Sequence, residues 1–155
     1  MERRLRLIGV IGAGDAAADL LADAEEVGAL LARAGAVVVC GGLGGVMEAA
    51  ARGAKREGGT TLGILPGPSG AEANRYIDLA VATNMGHARN VVIAHTCDSL
   101  IAVGGQYGTL SEIAIGLALG KRVVGLRTWQ IDPAIVWADS PESAVKLALA
   151  GAAPG

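Results

Sequence analysis

The chain has 155 residues, of which 52% are hydrophobic but only 3% aromatic, with 24 Gly and no Phe. That length suits one domain, residues 1–150, whose core must be built from Ala, Val, Ile and Leu, followed by a frayed tail at 151–155. A net charge of −2 with 13 scattered basic residues offers no basic stripe for nucleic acid, and no uncharged apolar run is long enough to span a bilayer.

In chain order, Leu5–Ile11 reads as a strand that ends in the turn Gly12-Ala13-Gly14. Residues 15–34 follow with apolar positions at helical spacing, Asp15 standing as N-cap and Gly35 as stop. Ala36–Cys40 is apolar throughout, as a strand buried on both faces should be. A second glycine turn, Gly41-Gly42-Leu43-Gly44-Gly45, leads into a helix from Val46 to Glu57. Thr60–Leu65 is the third strand, and 67–75 is a long loop of the kind that often carries function. A weaker strand at 76–83 precedes the turn Asn84-Met85-Gly86 and a helix over 87–95. Ser99–Val103 forms the fifth strand, and a helix running to Gly120 follows a third glycine turn. Arg122–Arg127 is the last clear strand, and Ser140-Pro141 begins the final helix with Ser at N-cap and Pro at N1.

Strands alternating with helices predict an α/β protein of three layers, a doubly wound, mostly parallel Rossmann-like sheet with helices on both faces. Ligands of such sheets bind at the carboxyl ends of the strands, where the strand order reverses. The loops at Gly12, Gly41, Pro66, Asn84 and Gly104 should all emerge there.

Gly104-Gly105-Gln106-Tyr107-Gly108-Thr109-Leu110-Ser111-Glu112 is the central motif. Glycines between a strand and a helix let backbone N–H groups approach an anion, and the helix dipole favours that charge. Thr109 can add a hydroxyl. Thr109 and Glu112 also have the spacing of a capping box, so Glu112 can serve the helix, the ligand or both. No lysine follows, so this is not a Walker A loop. The stretch Gly41–Glu48 echoes the motif with one residue fewer, each ending in a glutamate near the helix start. Side by side, the two turns would make a glycine-lined crevice.

Gly12-Ala13-Gly14 with Ala17 fits a dinucleotide fingerprint, but the second strand ends in Val39-Cys40-Gly41 and lacks the ribose-binding acid. The expected role of Gly12 and Gly14 is a tight turn lining a nucleotide pocket. Arg89 can hold a phosphate or pair with a glutamate, and His87 reads as a turn residue. Two histidines and the dispersed Cys40 and Cys97 form no metal cluster, and the thiols read as buried and reduced, as in a cytoplasmic protein.

These residues resemble the LOG (Lonely Guy)/lysine-decarboxylase-like superfamily, on Gly104-Gly105, Gly108-Thr109 and Glu112 preceded by Met85-Gly86-His87-Ala88-Arg89. Gly44-Gly45-Val46-Met47-Glu48-Ala49, Asn74-Arg75-Tyr76 and Ala88-Arg89-Asn90 bring the chain nearer a short bacterial branch that includes molybdenum-cofactor carrier proteins. The resemblance implies a Rossmann-like homodimer or homotetramer. It implies that Gly104, Gly105, Gly108 and Thr109 hold a phosphate, that Arg89 and Glu112 align with the LOG catalytic pair, and that Asn74 joins the ligand site. The chain departs from LOG at Asn90, where a lysine is usual, at Val103 in place of proline, and by one extra residue in the loop.

Two functions follow. The preferred one is binding of a phosphorylated nucleotide or molybdopterin-type ligand, with Gly12, Gly14, Gly41, Gly42, Gly44, Gly45, Asn74 and the central motif around it and no required cofactor. The alternative is hydrolysis of nucleoside 5′-monophosphates to free base and ribose 5-phosphate by Arg89 and Glu112.

Overall fold

The computed structural model describes residues 4–152. Its strands are β1 (Leu7–Gly12), β2 (Val37–Cys40), β3 (Thr61–Leu65), β4 (Leu79–Ala82), β5 (Ser99–Val103), β6 (Arg122–Leu126) and β7 (Val136–Trp137). Its helices are α1 (Ala18–Arg33), α2 (Val46–Arg56), α3 (Arg89–Thr96), α4 (Tyr107–Ala118) and α5 (Pro141–Gly151). All seven strands form one sheet in the order β4-β3-β2-β1-β5-β6-β7, and every pairing is parallel. The α/β, doubly wound architecture expected from the alternation is therefore the one found.

Side chains alternate across the pleat and so feed two separate cores. Ile8, Val10, Val38, Ile101, Val103, Val124 and Leu126 pack with Ala24, Val27, Leu31, Val46, Ala50, Ala144 and Ala148 of α1, α2 and α5. On the opposite face, Val37, Val39, Leu100, Ala102 and Val123 pack with Ile93, Ala94 and Ile113 of α3 and α4. The side chains of both layers are aliphatic and short, and Cys40 and Cys97 lie buried as free thiols.

The order of the strands changes direction between β1 and β5. From β1 the chain steps outward through β2, β3 and β4, then returns to pair β5 with the other side of β1. The loops after β1 and β5 therefore diverge to opposite faces, α1 to one and α4 to the other, and leave a crevice between them.

Four local expectations change. Asp15 is exposed and does not cap α1, which starts at Ala18 after an extended Ala17 with no side-chain cap. Thr109 is not an N-cap either. Helix α4 begins three residues earlier than such a cap would set it, behind an extended Gln106, so Glu112 stands at its sixth position, beyond capping-box reach of the N-cap N–H. A two-residue strand, β7, extends the sheet beyond Arg122–Arg127, pairing Val136 with Val124. In the stretch taken as a tail, Gly151 closes α5 and Ala152 is buried, while 153–155 lie outside the described residues.

Candidate functional site

A cavity of about 170 Å³ opens at the switch between β1 and β5. Its floor is Val10, Ile11 and Gly12, and Ala13 and Gly14 form one wall. Gly41 and Met47 close the β2 side; His87, Arg89 and Asn90 come from the start of α3, and Gln106, Gly108, Thr109 and Glu112 from the start of α4. Two helix N-termini thus converge on one small space.

The α4 entrance is built by its glycines. Gly104 (φ 56°) and Gly105 (φ 115°) adopt left-handed conformations that reverse the chain after β5. A Cβ on Gly105 would strike the Thr109 side chain. The backbone N–H groups of residues 105–109 make no hydrogen bond to any described residue, as expected at the open start of a helix. The loop after β6 clasps this turn from outside: Thr128 Oγ1 donates to Gly104 O at 2.5 Å, and Trp129 Nε1 donates to Gln106 O at 3.2 Å.

Arg89 reaches across the β2 and β3 ends. Its Nη1 donates to Gly41 O and Ile64 O, both at 2.6 Å. Glycine at 41 is needed for this, because a Cβ there would run into the guanidinium. Burial lowers the Arg89 pKa from its ordinary value, opposed by the charge of Glu112. The expected Arg89–Glu112 ion pair is absent among the described residues; the arginine pairs with carbonyls instead.

Glu112 is 7% exposed and faces the cavity. Burial pushes its carboxyl up to about 8, against the lowering effect of nearby Arg89. At neutral pH it is mostly protonated and can donate a hydrogen bond. Thr109, 2% exposed, lies one turn before it. Asn90 braces α4 by donating to Ser111 Oγ at 3.2 Å and to Gly108 O at 3.4 Å.

The residues singled out in the sequence fall into three groups. Gly12, Gly14, Gly41, Arg89, Gly108, Thr109 and Glu112 all line the cavity. Gly104 and Gly105 line a neighbouring cavity with Leu20, Arg127, Thr128 and Trp129. Gly42, Gly44, Gly45 and Asn74 line neither. Gly44 and Gly45 press on the Gly12–Gly14 loop, where a Cβ on Gly45 would strike the carbonyls of Ala13 and Gly14. Asn74 ties the second turn down: its N–H bonds to Gly42 O at 2.9 Å and its Nδ2 to Leu43 O at 2.8 Å. The crevice is thus formed where the first and third glycine turns meet Gly41, the leading residue of the second, while Gly44 and Gly45 pack behind the first.

Met47 and Gln106 are cavity residues that the sequence analysis did not single out. Both sit one or two residues from flagged glycines, but nothing in their residue type marked them. Among the described residues, no three His, Cys, Asp or Glu side chains gather in a way that could hold a metal ion, and no helix is long and apolar enough to cross a membrane.

An uncharacterised protein of Archaeoglobus fulgidus is 49% identical over 142 residues, covering 92% of this chain and 93% of its own. The molybdenum cofactor binding protein of the phototrophic bacterium Rippkaea orientalis superposes with a TM-score of 0.90 at 34% identity, over 95% of this chain and 97% of that one. The molybdenum cofactor carrier protein of Chlamydomonas reinhardtii superposes with a TM-score of 0.85 at 33% identity, over 96% and 98%. These neighbours agree with the carrier-containing branch to which the sequence motifs pointed. With residues 5–151 matching the family's profile, the chain belongs to the SLOG cluster4 family.

Proposed function

We propose that this protein binds a phosphorylated pterin or nucleotide, in the manner of a molybdenum-cofactor carrier, with the phosphate end in the β1/β5 cavity. The observation that carries the reading is the convergence of the α3 and α4 N-termini on a space that also holds the Arg89 guanidinium and the buried Glu112 carboxyl. Unpaired N–H groups at a helix start, a guanidinium and a neutral carboxyl all favour an anion there. The similarity to the Rippkaea and Chlamydomonas proteins supports a molybdopterin-type cargo.

A cavity of about 170 Å³ suits a phosphate with its adjoining sugar-like ring. Gln106, Gly108 and Thr109 would supply the donors, and Arg89 Nε and Nη2, which make no bond to a described residue, would face the charge.

A second reading, LOG-type hydrolysis of a nucleoside 5′-monophosphate, draws on the presence of both Arg89 and Glu112 in one cavity. Stabilising an oxocarbenium ion needs an ionised carboxylate, and a carboxyl raised to about 8 is mostly neutral at pH 7. The likeness to the Rippkaea and Chlamydomonas proteins is why carriage is preferred.

The two separate in one experiment. Nucleoside 5′-monophosphates are incubated with the protein and assayed for free base, and in parallel the melting temperature is followed during anaerobic titration with extracted molybdopterin. Stabilisation without base release is the expected result. Base release that disappears in Glu112→Gln would overturn simple carriage.

The protein is further proposed to be a cytoplasmic homo-oligomer. Edge strand β4 exposes Leu79 and Val81, near exposed Met85, although parallel strands are ordinarily covered. Sedimentation as a monomer at micromolar concentration would refute the assembly.

A further inference from the structure

The chain has four aromatic residues, Tyr76, Tyr107, Trp129 and Trp137, and none is fully buried. Two of them come together on the outer side of the α4 turn that bounds the site. The rings of Tyr107 and Trp129 stack with centroids 6.0 Å apart and planes 28° from parallel. Tyr107 is 81% exposed, so this contact does little to remove it from water. The pair is nonetheless held firmly. Tyr107 is the first residue of α4, and the Trp129 indole is pinned to Gln106 O and packs its apolar side on the core below.

Gly105, Gln106, Tyr107 and Trp129 line a cavity of about 420 Å³. It adjoins the phosphate cavity through Gln106, which lines both. The inner space, about 170 Å³, falls well below the roughly 300–1,000 Å³ of a site that encloses a whole drug-sized ligand. A ligand anchored there by its phosphate must continue outward.

We infer that the Tyr107–Trp129 pair is the stacking subsite for the flat heterocycle of the ligand whose phosphate occupies the β1/β5 cavity. This rests on the phosphate reading above and adds a second contact to it. The two subsites share one turn, so ordering Gly104–Thr109 positions both ends of the ligand together. Stacking on aromatic faces tolerates different bases and pterins, because each presents a π-face. The subsite thus selects for a planar ring on a phosphate, and discriminates weakly among rings.

The test uses a matched pair of probes, GMP and ribose 5-phosphate, which differ by the heterocycle alone. Affinities are measured by calorimetry on the full chain, and indole emission is followed during the titration. GMP should bind at least about fivefold more tightly than ribose 5-phosphate and quench indole emission. Tyr107→Ala, at an exposed position, should bring GMP down to the affinity of ribose 5-phosphate. Trp129→Leu should abolish the quench, and Trp137→Leu should keep it.

Equal affinity of the wild type for the two probes would overturn the stacking subsite and leave the phosphate site standing. Failure of both probes to bind would overturn the phosphate reading and this inference with it. A Tyr107→Ala protein that keeps the full advantage of GMP, or that changes only its oligomeric state, would assign the pair to protein contacts instead.

Discussion

Two glycine turns in this chain look alike and do different work. Gly41–Gly45 leads into α2 and Gly104–Gly108 into α4, each after a buried strand and each with a glutamate close behind. The first is shut. Val46 N–H is taken by Ala13 O at 3.0 Å, Asn74 holds the Gly42 and Leu43 carbonyls, and Gly45 lies directly on the β1 loop. The second is open. Both turns hold N–H groups without a partner among the described residues, at 43–45 and at 105–109, but Glu112 is buried facing a cavity while Glu48 is half-exposed outside it. The difference comes from strand order. β5 borders β1 at the switch, so its turn meets empty space, whereas β2 lies beside β1 on the continuous side and its turn meets the β1 loop.

The largest expected effect tests the closed turn. Gly45 has φ 63° and no room for a side chain beside the Ala13 and Gly14 backbone. Gly45→Val should therefore cost roughly 4 kcal/mol or more, combining left-handed strain with a steric clash. Urea unfolding measures it. A loss under about 1 kcal/mol would mean that the turn can move away from the β1 loop and that its closure is incidental.

The same comparison explains what could be read from the sequence. Strands buried on both faces announce themselves, as Val37-Val38-Val39-Cys40 and Leu100-Ile101-Ala102-Val103 do. Glycines at strand ends likewise mark the ligand edge of the sheet. What one sequence does not carry is which neighbour each turn meets, because that depends on the strand permutation. Hence Gly42, Gly44, Gly45 and Asn74 read as ligand residues in the sequence, whereas in the fold they lie outside the two cavities and Asn74 fastens the turn. The helix starts were misjudged for a related reason. Asp15 and Thr109 are good caps by residue type, but tertiary contacts begin α1 behind Ala17 and α4 behind Gln106. The Tyr107–Trp129 stack joins residues 22 positions apart and has no local signature.

The next effect concerns the open turn and has a pH signature. The folded-state pKa of Glu112 is raised to about 8, above its unfolded value. Its contribution is therefore most favourable below the ordinary carboxylate range, and stability is lost as pH climbs from there toward 8. Glu112→Gln removes that loss. At pH 8 and above the variant should be more stable than wild type, on the order of 3 kcal/mol, with the advantage fading toward pH 4. Melting curves across that range decide it, and parallel pH profiles would mean that Glu112 is already ionised in the fold. By the same logic, wild-type affinity for ribose 5-phosphate should weaken as pH passes 8, when the carboxyl becomes a like charge.

A smaller effect reports on the cradle directly. Thr109 is buried beside Gly105 at the cavity wall, and Thr109→Val keeps its shape while removing the hydroxyl. Phosphate affinity should fall by about 1 kcal/mol, roughly fivefold. Unchanged calorimetric affinity would leave the backbone N–H groups as the only donors of α4.

The smallest effect is the sharpest on the comparison, because it should carry the opposite sign. Glu48 occupies the third position of α2, half-exposed, where a carboxylate is favoured by the helix dipole. Glu48→Gln should therefore destabilise the protein by about 0.5 kcal/mol at pH 8, where Glu112→Gln stabilises it. The two glutamates end stretches that echo each other in sequence, yet one helps its helix as a charge and the other opposes the fold as one. If both substitutions shifted the melting temperature at pH 8 in the same direction, the two turns would be electrostatically equivalent. The distinction between the turn packed on the β1 loop and the turn that borders the cavity would then have to rest on packing alone.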